Sequence, residues 1–363
     1  MEHSRPRIAH IVDSMEVGGA ETLVAQLSAW QRLRGFEVRI YCLKMIGNLG
    51  ELALKDGFQI EVGRGLKLPR AALDAYRFML RYKPDIVHCH NATATIVAAP
   101  MARLAHVGSI VSTRHGLVAP PHSIRREAKF GVATCCCDWI VAVCEAALKN
   151  LITLPFIPKS RVVRVYNGAR RISFTPVHKG PDNGAFSFVH IGRLAPAKDQ
   201  ATLLRAFAIA VRAENGLSLV IVGDGELRGE LARLSTELGI NRSVSFVGEH
   251  QDVSPFLQNA DAFVMSSVSE GVPVSLLEAM SVGLPVIVTN VGGMPEVISH
   301  GGAGIMVPPK NPEVLASAML QLAHHPELSS TIGRAGLCEY EERFRPEIMA
   351  EQYNRLYQAT LTF

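Results

Sequence analysis

Glu270-Gly271-Val272-Pro273-Val274-Ser275-Leu276-Leu277-Glu278-Ala279-Met280 carries two carboxylates with seven residues between them, set around a glycine and a proline. Upstream, Asp261-Ala262-Phe263-Val264-Met265 is an apolar run with aromatic and β-branched members and reads as a buried parallel strand. Downstream, residues 275–280 are good helix formers. Gly271 and Pro273 break any regular element between the two, so the stretch reads strand, loop, helix. Pro273 falls near the helix start, where its missing N–H costs least. Such a junction presents free backbone N–H groups and the positive end of a helix dipole, which together bind anions. Glu270 then lies in the loop and Glu278 about a turn inside the helix.

Acids beside an anion site make little sense for the anion alone. They make sense for a ligand that carries hydroxyls next to its phosphates, because a carboxylate can accept both hydrogens of a vicinal diol. The chemistry indicated is a nucleotide sugar: diphosphate at the helix N-terminus, ribose diol on one glutamate, sugar hydroxyls on the other. The plainer alternative makes Glu270 a loop residue and Glu278 a solvated helix residue.

Working outward, 363 residues with 48% hydrophobic and 19% charged side chains fit a globular enzyme of two domains and exclude general disorder. No apolar run approaches the roughly 20 residues of a membrane span. Glu2, Arg5, Arg7 and Asp13 around a short apolar strand do not read as a signal peptide. The cysteines number seven and lack paired C-x-x-C spacing, against both a disulfide framework and a zinc site. A reducing cytoplasm is the expected setting, and the sequons at Asn91 and Asn241 are then chance matches. The net charge of +4 is unevenly spread: residues 1–180 hold 25 Lys and Arg against 13 Asp and Glu, the remainder 12 against 20. A first half of +12 points to an anionic partner, a membrane surface or an acidic acceptor.

The first strand is read over residues 7–12. Val17-Gly18-Gly19-Ala20-Glu21 follows, where a glycine pair opens an amphipathic helix running to about Leu33 and lets backbone approach a ligand. Strand patterns at 38–43, 59–62, 85–89, 109–113 and 139–143 alternate with helix patterns, the signature of βαβ units and a parallel sheet. His88-Cys89-His90 closes one strand at the edge where ligands bind in such sheets. It is a poor metal site, since strand neighbours point to opposite faces, and His90 is read as structural or acceptor-lining. Ser112-Thr113-Arg114-His115-Gly116 puts His115 at the same edge, within reach of a sugar hydroxyl or phosphate. Basic amphipathic stretches at 64–83 and 124–130 could lie on an anionic lipid surface.

Residues 175–184, rich in Pro, Gly, Asn and Asp, are the expected linker. A second alternating series follows, with strands at 186–191, 217–222, 243–247, 261–265 and 285–288 and closing helices at 312–323, 328–343 and 348–361. Ile191-Gly192-Arg193-Leu194-Ala195-Pro196-Ala197-Lys198-Asp199 places an arginine fork and a lysine point charge at a strand end, the pair suited to a diphosphate. Gly223-Asp224-Gly225 fails the dinucleotide fingerprint, because its third glycine, Gly229, comes one place late.

Gly18-Gly19-Ala20-Glu21, Gly192-Arg193-Leu194 with Lys198-Asp199, the stretch from Glu270 to Glu278, and Val291-Gly292-Gly293-Met294-Pro295-Glu296 resemble the family 4 glycosyltransferases, retaining enzymes of the GT-B fold. The resemblance covers nearly the whole chain in order. It implies two Rossmann-like doubly wound parallel-sheet domains facing across a cleft. The acceptor-binding domain would be residues 1–178, rejoined by a terminal helix at 347–363, and the nucleotide-sugar-binding domain residues 184–346. Carried over residue by residue, Arg193 and Lys198 would neutralise the diphosphate and Glu278 would hold the ribose diol. Glu270 would hold a donor-sugar hydroxyl, the backbone at Val274 and Ser275 would meet the distal phosphate, and Gly18 and Gly19 would form the loop that closes over it. His115 matches a histidine near the donor sugar, so Glu270 and His115 are the catalytic candidates.

The implied reaction moves a glycosyl group from a nucleoside-diphosphate sugar, with uridine as the guessed base, to a hydroxyl acceptor. It proceeds with retention, without an enzymic nucleophile, metal or other cofactor, and the chain has no Asp-x-Asp. The acceptor is expected to be lipid-linked or part of surface polysaccharide or lipopolysaccharide assembly, at the inner face of a membrane. Two alternatives stay open: a nucleotide-sugar epimerase of the same fold, and a non-catalytic nucleotide-sugar-binding subunit. A nicotinamide oxidoreductase is disfavoured by the failed fingerprint.

Overall fold

The apolar runs become thirteen strands among the described residues of a computed structural model, which describes residues 5–64, 68–117, 123–172, 186–298 and 302–361. The first seven are β1 (Arg7–Ser14), β2 (Glu37–Met45), β3 (Gln59–Val62), β4 (Ile86–His90), β5 (Ser109–Arg114), β6 (Trp139–Ala142) and β7 (Val162–Arg164). They form one sheet in the order β3-β2-β1-β4-β5-β6-β7, with every pairing parallel. The other six are β8 (Phe186–Ile191), β9 (Leu217–Val222), β10 (Val244–Gly248), β11 (Ala262–Met265), β12 (Val286–Thr289) and β13 (Ile305–Val307). Their order, β10-β9-β8-β11-β12-β13, is again all parallel.

Central strands of such sheets are covered on both faces and so must be apolar along their length, not alternating. β4 and β11 are buried at every position, and Ile8, Ile11, Ile40, Val87 and Ile110 are fully buried in the first sheet. In the second sheet Phe188, Leu219, Ile221 and Val264 pack with Leu203, Phe207 and Met319 from covering helices. Burying each such side chain contributes about 1.5–3 kcal/mol. The helices Gly19–Leu33 and Gln200–Ala213 direct their apolar positions inward in the same way.

Both sheets are doubly wound. After β1 the chain winds outward through β2 and β3, then returns to the other side of β1 as β4. The second sheet repeats the pattern about β8 and β11. The carboxyl ends of β1 and β4, and of β8 and β11, are therefore topological switch points, where ligands bind in open α/β sheets.

The chain divides into two units, Met1–Gly168 with Pro346–Phe363, and Ala169–Arg345. The expected linker at 175–184 lies outside the described residues. The division falls earlier because Ala169 already belongs to the second unit: its N–H donates to the Phe344 carbonyl at 3.0 Å and its carbonyl accepts from the Tyr340 hydroxyl at 2.9 Å. Ile172 follows, donating to Ser281 Oγ at 3.3 Å. The pattern read as one helix at 328–343 is the helix Pro326–Glu339 continued by a π turn, Tyr340–Phe344. The last helix is Pro346–Gln358, opening on a proline two residues before the expected start.

Candidate functional site

In the second unit, β8 ends at Ile191 and the chain runs through Gly192-Arg193-Leu194 into a single 3-10 turn, Pro196–Lys198. Asp199 then takes a left-handed conformation (φ 46°) and caps the helix Gln200–Ala213, accepting from the Thr202 hydroxyl at 2.8 Å. Ser266, just past β11, donates to the carbonyls of Lys198 and Asp199 at 3.0 and 2.9 Å. The loops after the two switch-point strands are thus tied together by backbone acceptors.

The tie brings Lys198 and Glu270 into contact, the ammonium Nζ donating to Glu270 Oε1. Ser267 donates its hydroxyl to the same oxygen at 2.8 Å. Gly293 holds the Glu270 backbone from the far side, its N–H donating to the Glu270 carbonyl at 3.2 Å. Both side chains keep some solvent access, 20% for Lys198 and 12% for Glu270, so the pair remains reachable by a ligand. Beneath Lys198, His190 is fully buried with Nδ1 3.0 Å from the Val264 carbonyl, and burial lowers its pKa to about 4. It is therefore neutral beside the ammonium. Arg193 is exposed and, among the described residues, its guanidinium has no ion-pair partner.

Gly223 and Gly225 explain a motif that the dinucleotide fingerprint did not. Gly223 sits at φ 136°, and a Cβ there would lie 2.1 Å from the Gly192 carbonyl oxygen. A Cβ on Gly225 would lie 2.3 Å from the Leu194 carbonyl oxygen. Leu194 N–H in turn donates to the Asp224 carbonyl at 2.9 Å. These glycines let the turn after β9 press against the loop that carries Arg193.

The helix Val274–Ser281 starts after Pro273, and no side chain caps it. The first-turn N–H groups, Val274 and Ser275 among them, have no acceptor within the helix. Ser275 Oγ is turned away, donating to the Ile191 carbonyl at 3.1 Å, which pins this helix start to the end of β8. Glu278 lies one turn on. Burial pushes its pKa up to about 7, against the pull of Arg170 and with a small push from Asp252. By surface area the residue as a whole is half-buried, yet its carboxyl is largely desolvated and has no hydrogen-bond partner among the described residues. A desolvated, unpaired carboxylate is costly and awaits a donor.

The first unit holds the other named residues. Gly18 caps the helix Gly19–Leu33 with extended backbone and no side-chain bond. A Cβ at Gly18 would meet only the flexible end of Glu21, so no strained geometry fixes this glycine. His115 follows β5 and donates its N–H to Asn91 Oδ1 at 3.1 Å. Its ring joins His10 of β1 and His90 of β4: His90 Nδ1 lies 3.0 Å from His115 Nε2, and His10 Nδ1 lies 2.9 Å from His90 Nε2. Burial lowers the pKa of His10 and His115 to about 4, and those of His88 and His90 well below the ordinary value. Ring nitrogens of His10, His88 and His90 all come within 4.8 Å of one another, a spacing open to a metal ion. Both His88 nitrogens are otherwise engaged, with the Tyr357 hydroxyl at 2.8 Å and Thr113 Oγ1 at 2.7 Å.

Of the residues singled out from the sequence, Lys198 and Glu270 are in direct contact, Val274 and Ser275 form the uncapped turn, and Glu278 is the unpartnered acid. Arg193 shares the Lys198 loop, while Gly18, Gly19 and His115 belong to the other unit. Ser267 and His10 escape sequence reading, and Gly223 and Gly225 are read from the sequence only as a failed dinucleotide fingerprint. The G-D-G at a strand end was the one signal that pointed at a close backbone approach.

Two doubly wound parallel sheets in tandem, each with its own switch point, are the architecture of the GT-B type. The model "Glycosyltransferase Family 4" matches residues 17–170 and "Glycosyl transferases group 1" matches residues 173–337. Matched in both units, the chain belongs to the family 4, group 1 glycosyltransferases. A galactosyltransferase of Escherichia coli, UDP-Gal:alpha-D-GlcNAc-diphosphoundecaprenol alpha-1,3-galactosyltransferase, is 26% identical over 84% of each chain. The N-acetyl-alpha-D-glucosaminyl L-malate synthase of Bacillus anthracis is 29% identical over 75% of this chain and 74% of that one. Among solved structures, Anabaena HepE in complex with UDP and glucose superposes with a TM-score of 0.86 at 20% identity, over 98% of this chain and 99% of that one. Sucrose-phosphate synthase of Thermosynechococcus elongatus gives 0.82 at 21%, over 98% and 99%. These two likenesses establish the fold.

Proposed function

We propose that this glycosyltransferase takes its sugar from a uridine-diphosphate donor and passes it to a hydroxyl acceptor with retention at the anomeric carbon. The observation that carries the reading is the Lys198–Glu270 pair beside an uncapped helix start, with the unpartnered Glu278 carboxyl one turn further on. A diphosphate competes with Glu270 for the Lys198 ammonium. Its arrival frees Glu270 to accept a donor-sugar hydroxyl, while Ser267 keeps the carboxylate oriented. Glu278 takes the ribose diol, exchanging an unpaired desolvated state for two charge-assisted bonds.

Charge builds on the leaving diphosphate as the glycosidic bond breaks. Lys198, Arg193 and the N–H groups of Val274 and Ser275 stabilise it, a role worth about 3–4 kcal/mol per well-placed donor in comparable sites. With two cations and a helix dipole in that role, the reaction runs without a metal ion. His115 contacts the donor sugar, and Gly18 and Gly19 close the loop over the phosphates. Uridine as the base is supported by HepE in complex with UDP and by the UDP-galactose donor in the name of the E. coli relative.

The acceptor is lipid-linked and the pathway builds a surface polysaccharide or lipopolysaccharide, at the cytoplasmic face of a membrane. The E. coli relative's diphosphoundecaprenol acceptor and the basic first half of this chain support that reading. Among the described residues no helix is long and apolar enough to cross a membrane. The proposed attachment is peripheral, with exposed apolar side chains such as Ile124 beside Arg125 and Arg126 available for it.

The test is release of UDP from UDP-hexoses with and without a polyprenyl-diphosphate-sugar acceptor, with the product's anomeric configuration read by NMR. Acceptor-dependent release giving the donor's own anomer is expected. An inverted product removes retention, and an epimerised nucleotide sugar formed without acceptor replaces the transferase reading with the epimerase.

A further inference from the structure

Three histidines of the first unit, His10, His90 and His115, form a hydrogen-bonded chain with a single polarity. A neutral imidazole has one N–H and one lone pair, so each bond fixes the next. At the inner end, Gln31 Oε1 lies 2.7 Å from His10 Nε2, and a carbonyl oxygen only accepts. His10 therefore carries its proton on Nε2 and offers Nδ1 as a lone pair. His90 Nε2, 2.9 Å away, donates to it and leaves its own Nδ1 as an acceptor. His115 Nε2, 3.0 Å from that atom, must then be the donor. His115 Nδ1 ends the chain as a lone pair, buried and without a hydrogen-bond partner among the described residues.

A second branch fixes Gln31 itself. Its amide Nε2 donates to the Tyr357 hydroxyl at 3.4 Å, and Tyr357 in turn donates to His88 Nδ1 at 2.8 Å. His88 Nε2–H then donates to Thr113 Oγ1 at 2.7 Å, and Thr113 to the Tyr353 hydroxyl at 3.0 Å. Turning the Gln31 amide over would require every proton in both branches to move. Gln31, His10, His88 and Thr113 are buried, as are Tyr353 and Tyr357 of the terminal helix, so water offers no substitute partner.

We infer that Gln31 is a positioning residue, which acts through His10 and His90 to hold His115 in the Nε2–H tautomer and present its Nδ1 as a hydrogen-bond acceptor. The consequence for transfer, that Nδ1 receives a sugar hydroxyl and does not donate to an oxygen, rests on the proposed role of His115 at the donor. Asn91, in a left-handed conformation at φ 68°, fixes the backbone of the same histidine. The device thus sets both where the ring stands and which nitrogen carries the proton.

The experiment is long-range proton–nitrogen NMR on the full chain labelled with nitrogen-15 histidine, for wild type, Gln31→Met and Gln31→Glu. Wild type should show His10, His90 and His115 all protonated on Nε2, and finding His115 protonated on Nδ1 overturns the inference without any variant. Gln31→Met removes the acceptor and should give a mixture of tautomers at His115. Gln31→Glu, which keeps an accepting oxygen, should restore one. An unchanged His115 tautomer in Gln31→Met also overturns it. So does Zn2+ binding that strips the N–H signals of His10, His88 and His90, since those nitrogens would then be ligands. Turnover of the same variants separates the two readings. If kcat falls in step with the lost Nε2–H population while the donor KM holds, both stand. If the tautomer shifts and kcat does not, the relay stands and the role of His115 at the sugar falls.

Discussion

Replacing Glu278 with glutamine should make the protein more stable and a poorer nucleotide binder at once. The carboxyl is desolvated and unpaired, and burial raises its pKa to about 7 from an ordinary 4.5. Between pH 4.5 and 7 the folded state holds the proton that the unfolded state has released. Stability associated with this group is therefore fully present below pH 4.5 and is lost as pH rises through 7. At pH 8 the full cost of the buried charge applies, and at 1.36 kcal/mol per pKa unit it comes to about 3 kcal/mol. Glutamine has the same shape and no charge, so Glu278→Gln removes most of that cost. For a unit of this size about 2–4 °C in Tm accompanies each kcal/mol. Melting of the second unit, followed by thermal shift without ligand, should rise by roughly 5–10 °C at pH 8 and hardly at all at pH 4. Equal melting of the two proteins at pH 8, or a less stable variant, would show that the carboxyl is already satisfied and would remove the reason for assigning it a ligand.

Acid should act on the first unit in the opposite sense. Burial lowers the pKa of His10 and His115 from 6.5 to about 4, so the stability tied to their neutral forms is present above pH 6.5 and lost as pH falls towards 4. Each accounts for about 3 kcal/mol by that point, and a Tm that stays flat between pH 7 and 5 would contradict the buried neutral network. Lys198→Met should cut turnover by about 10²–10³, and an unchanged kcat would remove Lys198 from the leaving diphosphate. Gly223→Ala should destabilise the second unit by at least about 1–3 kcal/mol, because its Cβ meets the Gly192 carbonyl oxygen at 2.1 Å from a φ of 136°. Urea denaturation reads that cost, and a neutral substitution would mean the loop carrying Arg193 moves freely.

The sequence shows the architecture because its signals are local. Strand runs of four to six residues alternate with amphipathic helices, and β11 is apolar at every position because both faces are covered, whereas His88 and His90 interrupt the apolar run of β4. Gly271 and Pro273 mark the helix start, which is why Val274, Ser275 and Glu278 could be named at all. The Lys198–Glu270 pair joins residues 72 apart in sequence, and Gln31 meets Tyr357 across 326. No local periodicity encodes such pairings, so their partners emerge only when the sheets bring strand ends together. His88 and His90 illustrate the boundary between the two. Their two-residue spacing places them on one face of β4, but that His10 of β1 lies opposite follows from the β1–β4 register, His10 against His88. β13 spans three residues, Ile305–Val307, and is set by pairing with β12 more than by any run of its own.

The most direct test of a nucleoside-diphosphate site in the second unit is calorimetric titration of UDP, GDP, ADP and NAD into wild type and Glu278→Ala. One nucleoside diphosphate, UDP, should bind wild type and bind the variant about ten- to a hundredfold more weakly, as expected for losing a charge-assisted bond worth roughly 1.5–3 kcal/mol. Binding of none of them, binding of NAD alone, or equal affinity for the two proteins would contradict the account and leave the two-glutamate stretch a structural feature.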